Sequence, residues 1–573
     1  MMRCPKYNTV VPEALRGLLL PPSFTKALVS SATRAETPGT TRRRIASSAW
    51  RLDRRQRFLP LPDVPSGPSF LPGRSVSILR LPTCSLQGKH GGVASFSSST
   101  KSETRNSDDY SHHIRSYNSH YIDGKWTDPS ENGTIDVVDP NHGRVVATVP
   151  RGTRDEALAA IGAARRSKRG WSHGTSPRER LDHIRLFLER FRSPGRVDEI
   201  VDRLAVELGC TRAFARNVQA MAPIYHTQTL LDLLDGGAFA WEEAAGRCTV
   251  AREAVGVVGA ITPWNYPLNQ ITLKVIPALV AGCTVVLKPS EVTPLVAYSF
   301  AEALEEAGLP DGVFNMVVGR GPECGQVLAE HPGVDLVSFT GSTAAGKVLA
   351  GAASETMKTL RTELGGKSAA LLLDDADLER VVPAFVKQLT SNTGQSCNAL
   401  SRMIVPREHQ ETVLAIAART MREEVVGDSS NEGTTLGPLV SEAQHDRVVS
   451  YIRRGIAEGA TLVAGGPEPP DGLGEGYFVS PTLFGDVTGG MSIAQEEIFG
   501  PVLCVLPYDT EEEAIDTANG TPYGLNSAVA SRDTKRALGV AGRLESGMVG
   551  ADPFCCAAMV PFNEFSRINS NTS

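Results

Sequence analysis

The chain has 573 residues, 41% apolar and 21% charged, with a formal net charge of −6. That length exceeds one simple core, so two to four domains are expected, and the balance is that of an ordinary soluble globular protein. No apolar run reaches the ~18 residues of a membrane span. The ten cysteines have no C-x-x-C pair, so neither a metal site nor a disulfide framework is expected, and a reducing compartment is the simplest setting.

Charge is unevenly spread. The first 100 residues hold fifteen Lys or Arg and four Asp or Glu, a balance of +11 that leaves −17 on the rest. This leader, taken as 1–115, is rich in Arg, Ser and Pro, has no sustained apolar period, and reads as disordered. Three explanations stand side by side: an organelle transit segment, with the mitochondrion as the expected destination, a nucleic-acid-binding arm, or a solvated tail or gene-prediction artefact. The acidic remainder argues against a nucleic-acid enzyme.

Folding signals begin at Tyr121-Ile122-Asp123-Gly124-Lys125-Trp126, a strand with a turn. The turn Asp139–Gly143 leads into a strand over Arg144–Val149. Ser176-Pro177-Arg178-Glu179 is a capping box, and Leu181, Ile184, Leu188 and Phe191 follow at helical spacing. Gly236–Glu253 reads as two extended segments. From Val255 strands and helices alternate: strands at Val255–Ile261, Thr284–Leu287, Val313–Val318 and Val334–Phe339, helices at Ala297–Ala307 and Cys324–Glu330. Such alternation predicts a parallel sheet with helices on both faces and ligands outside the carboxyl ends of its strands.

Glycine clusters fall at those strand ends. Gly319–Gly325 is one residue too long for the usual dinucleotide fingerprint. Gly341–Lys347 nearly matches a P-loop, but Val348 stands where Ser or Thr must hold Mg²⁺. Gly365-Gly366-Lys367-Ser368 ends like one, yet Arg361 occupies the first glycine's place. Each is a weak signal beside a plain tight turn, and a nucleotide hydrolase is disfavoured.

Chemistry concentrates in Asn392-Thr393-Gly394-Gln395-Ser396-Cys397. Most cysteines are small buried hydrophobes, but a polar, glycine-broken loop suits a nucleophile better than a core does. A thiol attacks carbon as thiolate, so Cys397 needs a lowered pKa or a nearby base. Glu363, just upstream, is the candidate base.

Six motifs now stand in order: Ile261-Thr262-Pro263-Trp264-Asn265-Tyr266-Pro267-Leu268, Leu287-Lys288-Pro289-Ser290-Glu291, Phe339-Thr340-Gly341-Ser342-Thr343, Glu363-Leu364-Gly365-Gly366-Lys367, Gly394-Gln395-Ser396-Cys397 and Glu496-Glu497-Ile498-Phe499-Gly500-Pro501. From about Tyr121 to about Gly550 the chain resembles the NAD(P)-dependent aldehyde dehydrogenase superfamily. The resemblance implies an α/β fold. It has a Rossmann-type NAD-binding domain (116–235 and 254–364), a small β oligomerisation hairpin (236–253) and an α/β catalytic domain (365–550), before a divergent tail (551–573).

It also implies roles. Cys397 would be the nucleophile, Glu363 the base that activates water, and Asn265 the side-chain donor to the oxyanion, alongside the Cys397 backbone N–H. Lys288 and Glu291 would bind the adenosine ribose, favouring NAD over NADP because a carboxylate repels a 2′-phosphate. Gly341 and Ser342 would approach the pyrophosphate at a helix start, and Glu497 and Phe499 would position the nicotinamide ribose and ring. Ile261, Thr262, Pro263, Trp264, Ser290, Gly321, Gly346 and Leu364 complete the implied cofactor contacts. The implied reaction is NAD-dependent oxidation of a small aldehyde to an acid through a Cys397 thiohemiacetal and thioester. No metal, nucleic acid or membrane span enters, and a family-like homodimer or homotetramer is expected if the C-terminus is intact. Gln270, Leu273, Ser396 and Asn398 are expected to face the substrate funnel. The segment Pro561–Ser566 departs from the family's pattern, which brings subunit pairing and the funnel wall into question. A fold-retaining protein with little activity is therefore the competing function class.

Overall fold

The computed structural model describes residues 113–551, except 131–132, 238, 240 and 246–247, together with the backbone of Thr25–Leu28. Residues 1–24, 29–112 and 552–573, most of the basic leader and of the divergent tail, lie outside the described residues.

Two seven-stranded sheets organise the molecule. In the first, five strands run parallel in the spatial order Thr359–Glu363, Leu336–Thr340, Val257–Ile261, Thr284–Lys288, Phe314–Met316. The hairpin His120–Ile122 and Lys125–Thr127 extends that edge antiparallel. The earliest parallel strand, Val257–Ile261, lies in the middle. Successive strands were added first on one side of it and then on the other. This is a doubly wound sheet, and its strand order reverses between Val257–Ile261 and Leu336–Thr340.

Burial explains the apolar runs. Val258 and Ala260 face a core shared with the helices Pro177–Phe191, Pro194–Glu207, Pro267–Val280 and Leu295–Glu306. Val257 and Ile261 face the opposite core, with the helices Arg154–Gly174 and Thr343–Ser354. Successive side chains point to opposite faces, so a strand covered on both sides must be apolar throughout. The capping box at Ser176 forms as the spacing predicts, with Ser176 Oγ accepting from Glu179 N, and Leu181, Ile184, Leu188 and Phe191 are all buried.

The second sheet has the order Thr461–Ala464, Thr482–Gly485, Val502–Tyr508, Arg402–Pro406, Ala369–Leu372, Asn526–Ala530, Met548–Gly550, parallel apart from the first pair. Ala369 and Leu371 face one core and Ala370 and Leu372 the other. The stretch Gly236–Glu253 does form a hairpin, Glu242–Ala245 paired with Cys248–Ala254.

Two expectations shift. The segment read as one helix over Cys324–Glu330 begins earlier, as a single wide turn at Gly321–Gly325 that passes into Gln326–Glu330. Within the leader read as disordered, the Thr25–Leu28 backbone pairs antiparallel with Cys248–Ala254. A hairpin edge carries unpaired N–H and C=O groups, which any extended segment can satisfy.

Candidate active site

The carboxyl ends of the first sheet deliver most of the predicted residues to one crevice. Thr262 and Asn265 follow Val257–Ile261, at the point where strand order reverses. Lys288 closes the next strand, Gly341 and Ser342 follow Leu336–Thr340, and Glu363 is the last residue of Thr359–Glu363. Open parallel sheets bind ligands in that crevice.

The loop that leads into Cys397 is locked by side-chain bonds. Asn392 and Thr393 sit in the left-handed region at φ 53° and 56°, and Gly394 follows at φ 73°. A β-branched Thr at positive φ is strained, and such strain persists only where surroundings over-determine it. Here they do. Asn392 Nδ2 donates to Asn265 O (2.9 Å), Thr393 Oγ1 to Gly437 O (3.1 Å) and Gln395 Nε2 to Asn392 O (3.1 Å), while Gln395 Oε1 accepts from Val440 N (2.9 Å). Gly394 could hold no side chain, because a Cβ would lie 2.2 Å from the Gly500 carbonyl carbon.

Asn265 is joined to the same loop. Its Nδ2 donates to Gln395 O at 2.9 Å, two residues before Cys397. Its own carbonyl accepts from Gln219 Nε2 at 2.9 Å as well as from Asn392. The strand end that carries Glu363 continues against Cys397. A Cβ on Gly366 would fall 2.3 Å from Cys397 O, and one on Gly365 would fall 2.2 Å from Glu497 Oε2. Gly366 N donates to Glu497 Oε1 at 3.1 Å. The structure therefore brings Cys397, Asn265, Glu363 and Glu497 to one place.

Electrostatics in that place disfavour the thiolate. Burial first, then the Glu497 and Glu363 carboxylates, pushes the Cys397 thiol up to about 12. Burial also raises Glu497, against the Gly366 N–H and the Arg447 and Lys367 charges. Lys367 is fully buried, which lowers its ammonium to about 8.

The cofactor candidates divide by environment. Lys288 Nζ pairs with Glu291 Oε2 at 2.6 Å, with Lys288 buried and Glu291 half-buried. Ser342 caps the helix Thr343–Ser354, its Oγ accepting from Ala345 N, and is itself exposed. Gly346 packs on Leu364, where a Cβ would come within 2.7 Å. Trp264 and Phe499 meet edge-on, ring centres 5.3 Å apart, with Phe499 at φ 66°. Pro263 is half-buried at the strand end and Ile261 belongs to the core. Ser290 Oγ is used locally, accepting from Val292 N. Gly321 has open space at its Cβ position, so nothing packed around it requires glycine.

Of the expected funnel residues, Leu273 and Asn398 are half-buried. Gln270 and Ser396 are buried instead. Ser396 Oγ shares a 2.7 Å hydrogen bond with Tyr266 Oη, and Gln270 Oε1 is 3.5 Å from Lys274 Nζ. Sequence reasoning missed Gln219, Gln444 and Arg447. Gln444 Nε2 donates to Ile498 O and Phe499 O, and Arg447 donates to Glu497 O, so the helix Glu442–Ala457 clamps the loop that carries Glu497 and Phe499. No local period marks such long-range pairs, and polar residues on a helix face carry no signal of their partner.

A doubly wound sheet whose switch point faces a cysteine-bearing loop, a carboxylate and an amide donor is the frame of a dinucleotide-dependent oxidoreductase. The profile of the Aldehyde dehydrogenase family matches residues 126–563, and the chain belongs to that family. It is 46% identical, over 79% of this chain and 94% of the relative, to 3-succinoylsemialdehyde-pyridine dehydrogenase of a Pseudomonas species. Among solved structures, a cysteine-to-alanine mutant of aldehyde dehydrogenase C from Pseudomonas syringae, complexed with NAD+ and octanal, is 45% identical with a TM-score of 0.74, covering 77% of this chain and 89% of that one. A Mycobacterium tuberculosis aldehyde dehydrogenase complexed with NAD+ is 39% identical with a TM-score of 0.73, covering 76% and 90%.

Proposed function

We propose that this chain oxidises an aldehyde to a carboxylic acid with NAD, using Cys397 as nucleophile and Glu363 as the base that activates water. The observation that carries this is the approach of the Glu363–Gly366 strand end to the Cys397 carbonyl, with Asn265 tied to the same loop.

The residues present fit a dinucleotide. Thr262 Oγ1 is buried at the switch point and has no hydrogen-bond partner among the described residues. The Lys288–Glu291 pair stands at the adjoining strand end, and the close packing of Gly346 on Leu364 draws a helix N-terminus to the crevice. Donors and dipole at a helix start suit a pyrophosphate. The Glu291 carboxylate suits ribose hydroxyls and repels a 2′-phosphate, which favours NAD. When bound, NAD takes up the hydrogen and two electrons lost by the aldehyde carbon.

The chain's own residues carry the rest. Cys397 Sγ gives its proton to a base and bonds to the carbonyl carbon, and the C=O π pair moves to oxygen. An amide NH₂ has two N–H groups. One on Asn265 is held by Gln395 O, which leaves the other for the oxyanion beside the Cys397 backbone N–H. Oxidation of that carbon leaves a thioester on Cys397. Glu363 then takes a proton from water, the water oxygen bonds to the acyl carbon, and the C–S bond breaks to return the sulfur.

NADH absorbance with purified protein and an aldehyde panel tests this. Cys397→Ala should abolish turnover. Glu363→Gln should give one rapid NADH equivalent per site and then stall, with the acyl group visible by mass spectrometry. Full steady-state turnover by Glu363→Gln would defeat the assignment. The Arg-rich leader is proposed as a mitochondrial transit segment, which sequencing the N-terminus of protein from cells would check; a start at Met1 would defeat it. Pairing into a dimer or tetramer through the hairpin Glu242–Ala254 is proposed likewise, with light scattering as its measurement.

A further inference from the structure

The aldehyde itself is unassigned, and two polar side chains beside the nucleophile have no part in the chemistry above. Two helices meet there. Pro267–Val280 starts at Tyr266, which bonds Ser396 next to Cys397. Residues three and seven positions further, Asn269 and Leu273, share a helix face with Tyr266. The helix Met221–Asp235 packs against Pro267–Val280. The contact between them includes His226 Nδ1 and Asn269 Oδ1 at 2.8 Å. His226 is 9% exposed and Asn269 5%. On the outer side of Met221–Asp235, Met221 and Tyr225 stand four apart, at 44% and 60% exposure, and Leu273 is half-buried.

The protonation of this pair follows from its burial. Burial lowers the His226 pKa, against the Asn269 hydrogen bond, so the ring is neutral near pH 7. A neutral imidazole has one N–H, and facing an amide oxygen it must donate from Nδ1. That bond turns the Asn269 amide so that Nδ2 points away from His226. Among the described residues, Nδ2 makes no hydrogen bond, and His226 Nε2 is buried without a partner. The enclosed Nε2 of His226 is costly to leave unmet, whereas Asn269 Nδ2 is not among the enclosed atoms and stays open to water or a ligand. Buried polar atoms in native proteins are met by protein, water or ligand.

We propose that Asn269, held in orientation by His226, recognises a hydrogen-bond acceptor carried by the aldehyde. The substrates are aldehydes that carry a carbonyl oxygen or aromatic nitrogen beyond the reacting carbon, with an apolar remainder against Leu273 on the same helix face. This rests on the proposed aldehyde oxidation. A plain alkanal leaves the Asn269 amide unpaired as it displaces water, and a site built around a hydrogen bond rejects the analogue that lacks it.

The matched pair is 4-oxooctanal and octanal, with their non-oxidisable counterparts 2,5-nonanedione and 2-nonanone for binding by calorimetry. Wild type should favour the acceptor-bearing member by tenfold or more, in kcat/KM and in Kd. Asn269→Leu should erase that ratio, through KM rather than kcat. His226 is a positioning residue, so His226→Leu should lower the ratio while His226→Gln, which keeps an N–H donor for Asn269, should largely restore it. A wild-type ratio near one, or a ratio retained in Asn269→Leu, overturns the proposal. Discrimination between the two ketones without oxidation of either aldehyde would uphold the recognition and sink the proposed oxidation instead.

Discussion

Gly366→Ala probes the geometry most directly. The added Cβ would sit 2.3 Å from the Cys397 carbonyl oxygen, and real Cβ contacts open to at least 3.0 Å. Something must therefore move by about 0.7 Å, and the neighbour is backbone rather than a flexible side-chain end. Retreat is limited, because Ser368 Oγ and Leu525 Cβ already lie at 3.3 and 3.4 Å. Overpacking of this kind costs about 1–3 kcal/mol of stability, and misplacing a reacting group by ~1 Å costs on the order of a hundredfold in rate. The expected result is a folded protein with a Tm lowered by a few degrees, kcat down by roughly ten- to a hundredfold, and NAD affinity little changed. Gly351→Ala is the control. It lies in the helix Thr343–Ser354 with nothing near its Cβ position, so it should be neutral or slightly stabilising. A Gly366→Ala enzyme with wild-type kcat and Tm would refute the proximity of 366 and 397.

Two further outcomes follow from the same site. Asn265→Ala should lower kcat by about 10²–10³-fold, the usual cost of one oxyanion donor, measured as NADH formation at saturating aldehyde; a loss confined to KM would assign Asn265 to ground-state binding. The Cys397 thiol is raised, so its proton stays on well above the free-cysteine range of about 8.5. Alkylation by iodoacetamide should therefore keep rising as pH climbs past 9, and Glu497→Gln should shift that curve to lower pH. A plateau near pH 7 in wild type would contradict the electrostatics.

The parts of the fold that sequence made legible are those with a local cause. Val257–Ile261 is apolar because both faces are covered, and Ser176 with Glu179 announces a helix start in four residues. Cys397, Glu363 and Asn265 could be picked out together because their motifs keep their order along the chain, and the structure brings the three to one crevice. What lay hidden depends on distant partners. Thr393 is a residue type that argues against the left-handed region it occupies, and only bonds from elsewhere hold it there. Gln219 and Arg447 act through backbone carbonyls of other segments. Ser396 and Gln270 stand beside motif residues, yet they turn inward because Tyr266 and Lys274 offer them partners.

The raised thiol bears on how one pocket can hold a nucleophile and its base together. Two unit charges 4 Å apart repel by about 4 kcal/mol at an effective dielectric of 20, which is close to three pK units. Burial of sulfur adds to that penalty, so thiolate and two neighbouring carboxylates do not ionise together in this pocket. One of the three acids must stay protonated until positive charge or a proton acceptor arrives. Burial raises Glu497 and lowers Lys367 to about 8, so each is drawn toward its neutral form. The thiol, pushed up to about 12, then keeps its proton at rest, and Glu363, the proposed water-activating base, is one of the groups that keep it so.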